Sequence, residues 1–299
     1  MSIMRAITLF APAKINLYLG VGALREDGYH DVTTVLQTLE FGDIVRILPA
    51  DELVVTTSVD LGIPVHENLA YRAALAFAEE FSVAPRAIIE IEKRVPAGAG
   101  LAGGSSDAAA VIVGLARLHG VDPRGAACAR VARSLGADCA FFLIGGAALM
   151  TGRGDELATS LPSAVAHVVL VKPAEPVSTA AAYLQFDASP MSAPGPRHAL
   201  EALEAGDIAQ LAASLSNNLT ASSANLVPEV IDALAWVGTR PGVMGAVMAG
   251  SGSAVFALCE NAASAAAAAE AARAHGWWAT ATTTRPTGVE ITDEDEGDE

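Results

Sequence analysis

The chain has 299 residues, 52% of them hydrophobic, and a formal net charge of −16. That length and apolar content suit one large or two modest globular domains with ample core. The acidic balance argues against a surface built to grip nucleic-acid phosphates or an anionic membrane, both of which call for basic patches.

In chain order, Ile3 to Leu19 reads as a strand carrying Pro12-Ala-Lys-Ile-Asn-Leu17, followed by a polar turn at Arg25-Glu-Asp-Gly28. This stretch reaches Lys14 and Asn16 too soon for a signal peptide. Alternation places Lys14 and Asn16 on one face of an otherwise apolar strand. A lysine there either needs a buried partner or is an edge-strand charge that guards against aggregation. Val32 to Leu39 and Asp43 to Leu48 are strand-like. Asn68 to Phe81 has helical spacing, with Leu69, Ala73, Ala76 and Phe77 on one face, and Ala87 to Glu92 alternates as a strand.

That strand leads into the most informative stretch, Pro96-Ala97-Gly98-Ala99-Gly100-Leu101-Ala102-Gly103-Gly104-Ser105-Ser106-Asp107. Four glycines free the backbone for close approach by a ligand. Ser105, Ser106 and Asp107 offer N-cap chemistry, and Val111, Leu115 and Leu118 recur at helical spacing. The loop should therefore end on the positive pole of a helix, a site suited to phosphate. It is not a Walker A loop, because no lysine follows the glycines. Gly98-Ala-Gly100-Leu-Ala-Gly103 fits G-x-G-x-x-G but lacks the strand with an acidic end that the dinucleotide fingerprint requires.

A helix at Arg124 to Leu135 precedes Gly136-Ala-Asp138 and a predicted apolar strand, Ala140 to Ile144. Asp138 is then either a turn or N-cap residue or a catalytic base. A strand follows at His167 to Val171, and Ser189 to Pro196 is the clearest linker. Helices are predicted at His198 to Ala205 and Ile208 to Leu215, and strands at Val243 to Ala249 and Ala254 to Leu258 flank the turn Gly250-Ser-Gly252. Asn261 to His275 is an alanine-rich helix. The longest apolar run, Cys139 to Met150, is too short to span a bilayer. Cys128, Cys139 and Cys259 show no C-x-x-C spacing, so neither a disulfide framework nor a zinc site follows, and a reducing cytoplasm is the expected compartment. Seven acids and no base in Glu290 to Glu299 predict a disordered tail. Mixed strands and helices in both halves point to an α+β architecture.

Three motifs in order, Pro12-Ala-Lys-Ile-Asn-Leu17, the glycine loop and Met248-Ala-Gly-Ser-Gly-Ser253, resemble those of the GHMP kinase superfamily, which includes galactokinase, homoserine kinase and mevalonate kinase. The added signature Arg25-Glu-Asp-Gly-Tyr-His30, with Val35-Leu-Gln37, Gly42-Asp43, Glu67-Asn-Leu-Ala-Tyr-Arg-Ala73 and Gly136-Ala-Asp138, resembles the members that act on a cytidine-diphosphate-linked methylerythritol in non-mevalonate isoprenoid synthesis. The resemblance covers about residues 8 to 260. It implies a two-domain fold, with an ATP-binding domain over 1–160, a C-terminal substrate domain over 161–285, a possible return strand near 277–291, and the active site in the cleft between the domains.

The resemblance further implies phosphorylation of the acceptor's 2-hydroxyl by ATP with Mg²⁺. Asp138 would be the base and Lys14 its charge partner. Residues Pro96 to Ser106 would hold the ATP phosphates, with Asn68 in the adenine pocket and Ser105 or Ser106 near the metal. Asn16 would contact substrate or phosphate, while Tyr29, His30 and Tyr183 would recognise the cytosine. A small-molecule acceptor, no nucleic acid or membrane, and a monomer or homodimer complete the expectation. The alternatives are a homoserine or sugar kinase, a diphosphomevalonate decarboxylase, or a nucleotide-binding protein without turnover. Two positions depart from the family pattern: Ala140 stands where a proline is common, and Ala249 where Thr or Ser is common.

Overall fold

The first half is organised by one long hairpin, β1 (Ile7–Leu24) and β2 (His30–Leu48), in a computed structural model that describes residues 6–294. Its turn is closed by the Arg25 amide on the Tyr29 carbonyl at 2.6 Å. The sequence pattern splits β2 at Glu40-Phe-Gly42, yet the structure shows one strand of 19 residues there. Along the edge away from β1 its first half pairs with β5 and its second half with β4.

The remaining elements follow in chain order: β3 (Leu53–Thr57), α1 (Leu69–Phe81), β4 (Ala87–Glu92), α2 (Gly103–Leu118), α3 (Ala126–Leu135), α4 (Cys139–Phe142), β5 (Ala147–Thr151), β6 (Glu156–Leu161) and β7 (His167–Lys172). Then come α5 (Thr179–Ala188), α6 (Arg197–Ala205), α7 (Ile208–Ala213), β8 (Ser216–Asn217), α8 (Thr220–Leu226), α9 (Glu229–Gly238), β9 (Val243–Met248), β10 (Val255–Cys259), α10 (Ala262–Ala274), β11 (Trp278–Thr283) and β12 (Glu290–Glu294). The architecture is α+β, with an eight-stranded sheet ordered β12-β1-β2-β4-β3 plus β5, β6 and β8, and an antiparallel four-stranded sheet ordered β11-β7-β10-β9. Among the described residues no helix is long and apolar enough to cross a membrane.

Period-two alternation along β7 connects the layers. Val169 and Val171 pack with Val230, Val237 and Ala272 under the outer helices, whereas Val168 and Leu170 turn inward to Ile15, Leu17, Val35 and Leu39 of the hairpin. Each fully buried leucine or phenylalanine there contributes about 1.5–3 kcal/mol. On the other side, α2 lies against the large sheet so closely that a Cβ at Gly114 would meet Ile47 Cδ1 at 2.5 Å. The alanines of Asp107-Ala-Ala-Ala110 permit the same close approach.

Two expectations are corrected. The run after Asp138 is not a strand: Cys139 to Phe142 forms the short helix α4, and the chain reverses at Gly145 and Gly146, both with positive φ. All four residues are buried, so the run carries no alternation by which strand and helix could be told apart. The tail predicted to be disordered begins with strand β12, antiparallel to β1, and residues 295–299 lie outside the described residues. Apolar contacts and pairing charges offset its acidity. Val289 and Ile291 pack on the core, the Val289 amide donates to the Phe142 carbonyl at 2.9 Å, and Arg285 pairs with Glu40 and Glu290.

Candidate active site

The glycine loop, the start of α2 and the β9–β10 turn line a cleft of about 650 Å³, a size suited to small ligands. The loop is held by its carbonyls. Leu101 O accepts from the Lys14 amide at 3.1 Å at a bulge in β1, while Gly98 O and Ala99 O accept from the amides of Ser253 and Ala254, each at 3.2 Å. Gly100, at φ +73°, touches the second turn so tightly that a Cβ would lie 2.0 Å from Ala249 O. Only glycine meets both conditions.

With its carbonyls bound by protein, the loop delivers an uncapped helix to the cleft. Ala102, in the left-handed region, is the N-cap of α2 and provides no side-chain cap. The expectation that Ser105, Ser106 and Asp107 cap the helix is therefore corrected, since all three lie inside it. The amides of Gly103, Gly104 and Ser105 precede any intrahelical acceptor, and all three residues line the cleft. This cradle fits an anion at a helix N-terminus. Ser106 is fully buried and lies off the cleft wall, with no hydrogen-bond partner for its hydroxyl.

Beneath the loop is an ionic cluster that sequence reasoning did not find. Asp43 accepts from the amides of Arg94 (2.5 Å) and Val95 (2.8 Å) and pairs with Lys93, whose Nζ also donates to Asp107 Oδ2 at 2.7 Å. Burial, reinforced by the Asp43 carboxylate and opposed by Lys93, pushes the Asp107 carboxyl up to about 7. Its Oδ1 has no hydrogen-bond partner among the described residues. Gly42-Asp43 and Lys93 are 50 residues apart in sequence, and only the β2–β4 pairing brings them together.

At the centre of the cleft Lys14 Nζ lies 3.7 Å from Asp138 Oδ2 and donates to Asn16 Oδ1 at 2.9 Å. Lys14 is buried in the interior of the sheet, so the edge-strand reading does not apply. Asp138 immediately precedes α4 and makes no side-chain cap bond, which leaves its partly exposed carboxylate available to the cleft. Asn16 lines the cleft, but its polar atoms are committed within the protein. Its Oδ1 also accepts from the Gly250 amide, and its Nδ2 donates to Thr34 Oγ1, both at 2.9 Å. Asn16 thus holds Lys14 and the second turn in register. Asn68 likewise caps α1 through Oδ1 and faces the end of the cleft formed by Leu61, Ile63 and Leu69.

On the opposite wall the His30 ring lies 5.3 Å from that of Tyr183 and 5.9 Å from Phe186, with Nδ1 on the Gly22 carbonyl at 3.0 Å. Its Nε2 is 3.1 Å from Asp187 Oδ1, without the alignment of a hydrogen bond. Tyr183 lines the cleft, and burial, with the Asp138 charge adding, pushes its phenol up to about 12. His30 packs behind Tyr183 rather than on the cleft surface. Tyr29 is exposed at the tip of the hairpin, beneath the guanidinium of Arg153. Arg153 itself went unnoticed in the sequence, although a lone arginine between glycines in Thr151-Gly-Arg-Gly-Asp155 is a turn signature.

Family models match the chain twice: GHMP kinases N terminal domain over residues 68–146 and GHMP kinases C terminal over 199–276. The 4-diphosphocytidyl-2-C-methyl-D-erythritol kinase of Nocardia farcinica is 40% identical over 84% of this chain and 84% of its own length. That of Moorella thermoacetica is 41% identical over 86% and 92%. A crystal structure of 4-(cytidine 5'-diphospho)-2C-methyl-D-erythritol kinase superposes with a TM-score of 0.78 at 36% identity, covering 93% of this chain and 99% of that one. The homoserine kinase of Cytophaga hutchinsonii, at 19% identity and TM-score 0.74 over 97% and 98%, shares the fold.

Proposed function

This chain belongs to the GHMP kinases and, within them, to the 4-diphosphocytidyl-2-C-methyl-D-erythritol kinase family; we infer that it carries out that family's reaction. The γ-phosphoryl group of ATP passes to the 2-hydroxyl of 4-diphosphocytidyl-2-C-methyl-D-erythritol, giving the 2-phosphate and ADP, in the synthesis of isoprenoid precursors by the non-mevalonate route. The observation that carries the mechanism is the Lys14–Asp138 pair at 3.7 Å, set beside an uncapped helix N-terminus in the same cleft.

Each residue is assigned a task that its surroundings support. Asp138 takes the proton of the 2-hydroxyl as the oxygen bonds to phosphorus and the bond to the departing ADP oxygen breaks. Lys14, fixed by Asn16, offsets charge on the reacting oxygens. The amides of Gly103, Gly104 and Ser105 hold phosphate oxygens without a lysine in the loop, by the electrostatic positioning that phosphoryl transfer requires. Asn68 and its apolar neighbours accommodate the adenine.

Among the described residues no group of three or more His, Cys, Asp or Glu is arranged to hold a metal ion. Magnesium would therefore enter on the nucleotide, with the Ser105 hydroxyl as the loop side chain on the cleft wall. It would supply charge neutralisation at the phosphates. Tyr183 and Tyr29 would offer aromatic surface to the cytosine, with His30 setting the position of Tyr183.

A coupled ADP-release assay tests the assignment, with the cytidylylated methylerythritol compared against homoserine and galactose as acceptors. Turnover confined to the first is expected. Turnover on either of the others in its place would overturn the acceptor, and ATP binding without turnover on any acceptor would make the chain a nucleotide-binding protein on this fold.

A further inference from the structure

Three cationic side chains line the cleft, and two are already committed. Lys14 is engaged with Asn16 and Asp138 at the reaction centre, and Lys93 is shared between Asp43 and Asp107 under the glycine loop. The third, Arg153, lies on the acceptor side, in the turn between β5 and β6. The turn is pinned to the hairpin by the Val32 amide on the Gly152 carbonyl at 2.7 Å. Its glycines, Gly152 and Gly154, take φ +70° and +89°, and they present the arginine between them.

The guanidinium is preorganised. Nη2 and Nε donate to Asp155 Oδ2 at 2.8 and 3.3 Å, and the Arg153 amide donates to Asp155 Oδ1 at 3.1 Å. Asp155 is itself buried, and its carboxyl is held below the usual range because the bonds from Arg153 outweigh the cost of burial. The guanidinium face lies 4.8 Å from the centre of the Tyr29 ring. Nη1 makes no hydrogen bond among the described residues, so a fork held on one edge by a carboxylate and on one face by an aromatic ring keeps its remaining donors for a ligand.

The hairpin turn beside Arg153 carries Asp27 and Asp31, both paired with Arg25, and Asp187 stands beside His30. An acceptor that sets its base near Tyr183 and its hydroxyl at Asp138 must carry its diphosphate between the two, within the cleft that Arg153 also lines. We propose that Arg153 is a specificity-determining residue that recognises the diphosphate of the acceptor. This rests on the acceptor assigned above and deepens it. Selectivity between a nucleoside diphosphate conjugate and a plain polyol is then set by one fixed fork, because charge-assisted bonds to a planar arginine are the strong ones.

Calorimetric titration of CDP and of cytidine into the whole enzyme separates the possibilities. With Arg153→Met, CDP affinity should fall about 10- to 100-fold, the loss expected for one or two charge-assisted hydrogen bonds, while cytidine affinity changes less than about 2-fold. Arg153→Lys, which keeps the charge without the fork, should recover part of the CDP affinity and serves as the second variant if the methionine substitution does not fold. In steady state the acceptor KM should rise while the ATP KM stays constant. An equal loss for CDP and cytidine would reduce Arg153 to a support for Tyr29 and overturn the proposal, as would unchanged CDP binding. Failure of the wild-type enzyme to bind either probe would instead sink the acceptor reading on which the proposal rests.

Discussion

The two walls of the cleft are made of different material. The donor wall is backbone: amides at the start of α2, carbonyls bound by Lys14, Ser253 and Ala254, and glycines at contact distance from the next turn. The wall assigned to the acceptor is side chains: Tyr183 from α5 and Arg153 from the β5–β6 turn line it, backed by His30 of β2 and by Tyr29 at the tip of the hairpin. A wall of amides binds phosphate whatever side chains surround it and is vulnerable chiefly at its glycines. A wall of side chains from separate elements can be altered one residue at a time, which is how one fold comes to serve many acceptors.

The largest effect is expected where the walls meet. Asp138→Asn and Lys14→Met should each lower kcat by about 10²- to 10⁴-fold, the usual worth of a positioned acid or base, with smaller changes in either KM. Because the two act as one unit, the double variant should lose much less than the product of the single losses. Full additivity, measured by ADP release, would show that they do not cooperate.

The comparison itself is broken or sharpened by one substitution in each wall. Gly100→Ala forces a Cβ into the Ala249 carbonyl, so the loop must shift. The ATP KM should rise at least ~10-fold, from misplacement by a fraction of an ångström, with the acceptor KM little changed. Tyr183→Leu removes only a ring face, worth about 0.5–1.5 kcal/mol, so the acceptor KM should rise about 2- to 12-fold and the ATP KM stay constant. If either variant moved both KM values equally, the walls would not be separable.

The same contrast explains what the sequence made legible. The donor wall is contiguous, and its glycines, helix spacing and lack of a lysine could be read in one stretch, as could Lys14 and Asn16 on one strand face. The error there was local: the loop reaches helical geometry at Gly103, and the serines expected to cap it lie inside. The Asp43–Lys93–Asp107 cluster and the Arg153–Asp155 clamp were not legible. The cluster depends on strand pairing across 50 residues, and the clamp acquires meaning only when the turn is seen against Tyr29. The run Cys139 to Phe142 failed for a different reason, since a fully buried stretch shows no period.

The smallest effect concerns what lies under the donor wall. Burial and Asp43 outweigh Lys93 and push the Asp107 carboxyl up to about 7 in the folded protein, well above the ordinary carboxyl range. With an ordinary carboxyl value of 3.8 in the unfolded chain, the folded state holds a proton that the unfolded state has lost, and this contribution to stability declines as pH rises from about 4 through 7. Asp107→Asn, neutral at every pH, should match the wild-type Tm most closely near pH 4. It should gain on the wild type up to pH 8, by about 2–4 °C for each kcal/mol that the wild type loses. A Tm difference that stays constant across that range would show that Asp107 is ionised throughout. On the proposed assignment, bound ATP places further negative charge over the same loop and should raise the carboxyl again. The gap between variant and wild type at pH 8 should therefore widen with saturating ATP, whereas saturating acceptor, bound on the other wall, should leave it almost unchanged.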